Sequence, residues 1–239
     1  MTQEITYYTV QSYIDSGYCS ELVEKLKTVA DSTEKKRILL ELVQFSNFEQ
    51  SRVSLCRAGI CDFIGDILRA EKCIESIVNL CVLIGHIGTS DKYRPVLFSK
   101  NVASILVCAF ECVDTIDDKI KLVKSINQLC QTTSDGLKLI EAGVLSHLCG
   151  VLKIVHTDAH KECVSHAIFW VSFLTHDRTT AVECGCIEWM YNALKNISNK
   201  SIQSQILTDM KYFIRDKLDD SRYPIYVLWR SDFQTYLMC

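Results

Sequence analysis

Apolar residues recur along this chain at offsets of 0, 3, 4, 7 and 8, as in Ile60, Phe63, Ile64, Ile67 and Leu68, which puts them on one stripe of an α-helix. The same stripe returns in SGYCSELVEKL (16–26), AGICDFIGDIL (58–68), KNVASILVCAF (100–110), EAGVLSHLCGVL (141–152) and CGCIEWMYNAL (184–194). Each copy is marked by one column, Gly17, Gly59, Asn101, Gly143 and Gly185, and successive members are 42 residues apart. Glycine and asparagine accept left-handed backbone geometry, so the chain is expected to turn sharply at each of these points before an apolar helix begins.

Two further helices complete the unit. A short one precedes the turn and carries an arginine column, Arg52, Arg94 and Arg178, with Gly136 in its place in the fourth unit. A longer third helix follows, announced by Asp31-x-x-Glu34, Thr115-x-x-Asp118 and Thr157-Asp158, whose side chains suit the free amides of a first turn. In DDKIKLVKSINQLCQ its inner stripe is Ile120, Val123, Ile126, Leu129 and Cys130. The second unit departs from this pattern. Two glycines and a proline in LIGHIGTSDKYRPV predict that its third helix ends early, leaving a longer loop between Gly85 and Pro95 as a candidate contact. Beyond residue 217 the turn is lost, and Tyr226, Trp229, Phe233 and Leu237 form an amphipathic pattern suited to closing the end of a stack.

A repeat of this length implies one continuous stack rather than separate globules. The predicted units are 7–46, 47–86, 87–132, 133–175 and 176–217, with a capping segment at 218–239. Composition agrees: 48% hydrophobic residues supply a long core, and only 9 Gly and 2 Pro interrupt it. A net charge of −3 gives no general drive toward nucleic acid or an anionic membrane. The longest uncharged apolar run, Val102 to Phe110, is far short of the ~20 residues a bilayer requires. Thirteen cysteines dispersed over apolar helical faces read as core thiols in a reducing compartment, so a cytoplasmic location is expected. Asn196 and Asn199 would be glycosylation acceptors elsewhere.

Arginine in the first helix, AG[IV] at the turn and a third helix ending in Asn-Leu-Cys or Gln-Leu-Cys resemble the armadillo repeat over about 7–217. The resemblance implies an all-α, right-handed α-solenoid of about five three-helix units, whose third helices line a groove for extended or helical protein segments. In importin-α and its relatives an asparagine near the end of the third helix points into that groove. The matching positions here are Gln44, Asn79, Gln128, Trp170 and Tyr212, of which Asn79 alone is the family's residue. Where import receptors carry tryptophan four residues earlier, this chain has Leu40, Glu75, Lys124, His166 and Thr208.

Seven residues before each ladder position, nearly two helical turns away, lie Arg37, Lys72, Lys121, Cys163 and Gln205. The first three units would then pair an amide with a cation, and the last two would offer Trp170 and Tyr212. A two-part groove follows: an acidic or carbonyl-rich segment in the N-terminal half and an apolar anchor near His166, Trp170 and Tyr212 in the C-terminal half. In the alternative, the charges are a solvated face and the aromatics pack between helices.

No catalytic signature is legible. His156, His160, Cys163 and His166 are strung along one helix over about 15 Å, too far for one tetrahedral ion, so no metal or other cofactor is expected. The expected function is a non-catalytic interaction scaffold or structural subunit of a larger cytoplasmic assembly, the cytoskeleton among the candidates, with protein partners. A chaperone cofactor of the nucleotide-exchange type is the alternative, and a thiol- or metal-dependent enzyme a remoter one.

Overall fold

A computed structural model describes residues 12–176 and 178–214; the capping segment 218–239, with Tyr226, Trp229, Phe233 and Leu237, lies outside them. The described residues form helices α1 (Tyr18–Thr28), α2 (Ser32–Ser46), α3 (Glu49–Arg57), α4 (Ile60–Ala70), α5 (Ile74–Gly88), α6 (Arg94–Ser99), α7 (Val102–Cys112), α8 (Ile116–Leu129), α9 (Thr133–Glu141), α10 (Val144–Ile154), α11 (Asp158–Thr175), α12 (Arg178–Glu183), α13 (Cys186–Lys195) and α14 (Lys200–Ile214).

The repeat governs the geometry. Third helices α2, α5, α8, α11 and α14 begin at Ser32, Ile74, Ile116, Asp158 and Lys200, each 42 residues after the last. The turn column adopts the left-handed conformation throughout, with φ of 85° at Gly59 and 58° at Asn101. Caps at the third helices are those the sequence announces: Asp31 accepts from the Glu34 amide at 2.7 Å, Thr115 from that of Asp118 at 3.2 Å and Thr157 from that of His160 at 3.2 Å.

Third helices pack in sequence, α2 on α5, α5 on α8, α8 on α11 and α11 on α14, while second helices α4, α7, α10 and α13 form a parallel row behind them. One continuous core lies between the rows. It takes in the expected stripes, including Ile60, Ile64 and Leu68 of α4 and Ile120, Val123, Ile126 and Leu129 of α8. Cys19, Cys56, Cys61, Cys81, Cys130, Cys149 and Cys186 are buried in it as small apolar side chains.

The second unit corrects the sequence reading. Helix α5 does not end early: it runs through Gly85 to Gly88, and the connection to α6 is confined to residues 89–93. The two glycines allow close approach to α8 instead. A Cβ on Gly85 would lie 2.8 Å from Ser125 Cα, and one on Gly88 2.5 Å from Leu129 Cδ2. Pro95 sits in the first turn of α6, where its missing amide costs nothing.

Candidate functional site

The third helices present a polar and aromatic layer, and their common register decides which residues are equivalent. Counting from each helix start, one column is Gln44, His86, Gln128, Trp170 and Tyr212, and another, two turns earlier, is Arg37, Asn79, Lys121, Cys163 and Gln205. Asn79 is therefore the counterpart of Arg37 and Lys121, not of Gln44 and Gln128. Lys72 lies exposed in the connection ahead of α5, so the expected Lys72–Asn79 pair does not share a helical face. A shift of seven residues keeps a side chain on nearly the same face but moves it two turns along, so the Asn79-Leu80-Cys81 triplet misled the alignment by two turns.

In the N-terminal half Arg37 and Lys121 are already matched. Arg37 bonds Glu34 at 2.7 Å and Glu41 at 3.0 Å, and the Glu34 carboxylate keeps its guanidinium firmly charged. Lys121 pairs with Asp118 at 2.7 Å and holds that carboxyl below its usual range. Lys36 reaches across to Glu75 at 3.3 Å and Lys35 to Glu71 at 3.1 Å, tying α2 to the start of α5. Gln44 and Gln128 are half-buried, and the Asn79 amide nitrogen is buried without a hydrogen-bond partner. His86, the residue sequence reasoning missed in the first column, contacts Ser46 Oγ through Nδ1 at 2.7 Å. Burial and the neighbouring Arg52 charge hold its imidazole below the ordinary range.

The C-terminal half is aromatic. Trp170 remains 36% exposed and Phe173 38%, so these rings are not consumed by packing between helices. They meet edge to face at 5.7 Å, and Phe169 stacks on Phe173 at 5.3 Å. The Trp170 indole N–H donates to His166 Nε2 at 2.6 Å. Across on α14, Asp209 lies 3.7 Å from His166 Nδ1. The structure thus joins His166 with Trp170 and adds Phe173 and Asp209, which a reading by sequence columns did not pick out; the α11 spacing of 166, 169, 170 and 173 was the available signal. The Tyr212 side chain lies outside the described residues. Among the described residues, no group of three or more His, Cys, Asp or Glu side chains is placed to hold a metal ion, and no helix is long and apolar enough to cross a membrane.

The chain's shape has close counterparts among solved structures. A designed armadillo repeat protein superposes with a TM-score of 0.76 over 86% of both chains at 20% identity. The chain has the armadillo fold. A second designed armadillo protein, solved in complex with the peptide (KR)4, matches 86% of each chain with a TM-score of 0.75 and 19% identity. A chain from a study of a phosphorylation switch between cadherin and β-catenin matches with a TM-score of 0.73 and 11% identity, over 93% of this chain and 45% of its own. No protein-family model matches the sequence, and no curated protein does. The likeness is thus one of architecture: an armadillo solenoid that, among the described residues, is built of α-helices, with the third helices side by side in one layer.

Proposed function

We propose that this armadillo solenoid is a non-catalytic scaffold that binds an extended or helical protein segment along its third-helix layer, within a cytoplasmic assembly. The observation that carries the reading is the exposure of two contacting aromatic rings, Trp170 and Phe173, on the third helix α11. Exposed aromatic rings held rigidly on a helix anchor partners at low entropic cost. The peptide-bound designed relative lends support by fold.

The pairing of Arg37 and Lys121 within their own helices changes the expected division of the groove. Its N-terminal half offers the half-buried amides of Gln44 and Gln128 beside two cations that are already paired. Such amides suit the backbone of an extended segment, with an apolar residue of that segment seated on Trp170 and Phe173. Buried core thiols fit a reducing compartment.

Selection of a displayed random-peptide library against the protein tests this directly. Trp170→Ala should weaken the selected segments by roughly ten-fold or more, as for a buried aromatic anchor, with helical circular dichroism retained. Selected segments indifferent both to Trp170→Ala and to Gln44→Ala/Gln128→Ala would place the binding surface elsewhere.

A further inference from the structure

His166 stands between two groups with opposite demands. Its Nε2 accepts the Trp170 indole N–H at 2.6 Å. Its Nδ1 faces Asp209 Oδ2 at 3.7 Å, beyond hydrogen-bond reach but within ion-pair range. Asp209 is 2% exposed; its Oδ1 accepts from Gln205 Nε2 at 2.9 Å, while Oδ2 has no hydrogen-bond partner. This geometry fixes the tautomer. A ring nitrogen that accepts the indole proton carries none of its own, so neutral His166 keeps its single proton on Nδ1, toward Asp209.

A second proton reverses both contacts. Imidazolium donates from both nitrogens, so Nε2–H would confront the indole N–H at 2.6 Å with no acceptor between them. The same proton gives the buried Asp209 carboxylate the cation that a buried anion needs. Acid therefore breaks the link to Trp170 and draws the ring toward α14. The His166 side chain is 41% exposed, so protons reach it from solvent.

Other charged groups lie on the helices packed around α11. Lys124 on α8 and Glu162 on α11 both act on Cys163, one turn from His166, with opposite signs. Helices α9, α10, α12 and α13 also pack on α11 but, among the described residues, bring no ion-pair partner within 4.0 Å of His166.

We infer that His166 is a proton-operated latch on the Trp170 anchor. Neutral His166 holds the indole where an apolar residue of the bound segment meets it, and protonation releases the indole and the segment. The inference rests on the anchor reading above, yet the latch itself can be read without a partner.

The measurement is the indole N–H resonance of Trp170 in protein labelled with 15N-tryptophan, assigned through Trp170→Phe and followed from pH 8 to 5.5. The resonance should move as acid breaks the indole's hydrogen bond to His166. His166→Gln, which can accept the indole proton but takes up none, should abolish the titration. Asp209→Asn should move it to lower pH, because the imidazolium loses its anion. His166 is half-buried with a side chain 41% exposed, so the decision does not depend on the buried Asp209 variant folding.

A resonance that does not move, or that moves equally in His166→Gln, overturns the latch. For a library-selected segment, affinity should fall roughly five-fold between pH 7.5 and 5.5 in the wild type, the size of one lost hydrogen bond, and stay constant in His166→Gln. An indole that titrates while affinity stays constant removes the latch as a control on binding. A segment that needs Trp170 at every pH, with no titration, keeps the anchor and removes the latch.

Discussion

Arg94 and Asp135 form a buried ion pair across two repeat units, with Arg94 Nε 2.8 Å from Asp135 Oδ2 and the residues 3% and 5% exposed. The same guanidinium bonds the Gly88 carbonyl that ends α5 and the Asp91 carboxylate. The same carboxylate oxygen accepts from the Thr132 amide and hydroxyl in the capping box of α9. One contact thus fastens the end of a third helix, a first helix and the cap of the next. Arg52 does the simpler half of this work, bonding the carbonyls of Ser46 and Asn47 at 2.9 and 3.2 Å. At Arg52 and Arg94 the arginine column fastens the stack.

Replacing Arg94 by Met would leave the Asp135 charge buried without its cation. A loss of about 3–5 kcal/mol is expected, with part of it recovered by the double change Arg94→Met/Asp135→Asn. Urea denaturation of the two variants measures both, and a loss below about 1 kcal/mol for Arg94→Met would show the pair to be dispensable.

Two helical glycines should respond to alanine with opposite signs. At Gly85 a Cβ would lie 2.8 Å from Ser125 Cα and 2.5 Å from Gln128 Oε1, so Gly85→Ala forces α5 and α8 apart at a cost of about 1–3 kcal/mol. At Gly150, inside α10, a Cβ meets nothing within 4 Å, and Gly150→Ala should stabilise by roughly 0.5–1 kcal/mol. Thermal midpoints of the two variants decide the matter, and equal shifts would contradict the close approach of α5 to α8.

His86 ties stability to pH. Burial, and then the Arg52 charge, hold its imidazole below the usual range, so the unfolded chain binds the proton more readily than the folded one. Its contribution is complete above the unfolded value of about 6.5 and fades as pH falls below it toward the lower folded value. The denaturation midpoint should therefore drop between pH 7.5 and 5.5 by less in His86→Gln than in the wild type. An equal drop in both would assign the acid sensitivity to another group.

Cys73, at the N-cap of α5, should alkylate faster at neutral pH than the more exposed Cys108 and Cys112. The Ser76 amide first, and then the Ser76 side chain and Lys36, favour its thiolate and hold the thiol below its usual range. Lys36→Ala should slow iodoacetamide labelling at Cys73 and leave Cys108 unchanged, as followed by peptide mass spectrometry. Equal rates at Cys73 and Cys108 in the wild type would show that the amide and the lysine do not activate it.

The chain's own pattern determined the unit, its length, its turns and its caps, because these depend on neighbours a few residues apart: a left-handed φ at Gly59 or Asn101, a side-chain oxygen at Asp31 or Thr115, an apolar stripe in α4 or α8. Tertiary structure alone decided what crosses between units. Gly85 looks like a helix breaker until Ser125 is seen against it, and Asn79 looks like a rung-mate of Gln128 until the common helix starts place it with Lys121. Arg37 and Lys121 look like free groove cations until Glu34 and Asp118 are found on them. The partnership of His166 with Asp209 spans 43 residues and two helices. Helical periodicity reports which way a side chain faces, but the distance to a residue one unit away is set by how helices stack, and no local pattern encodes it.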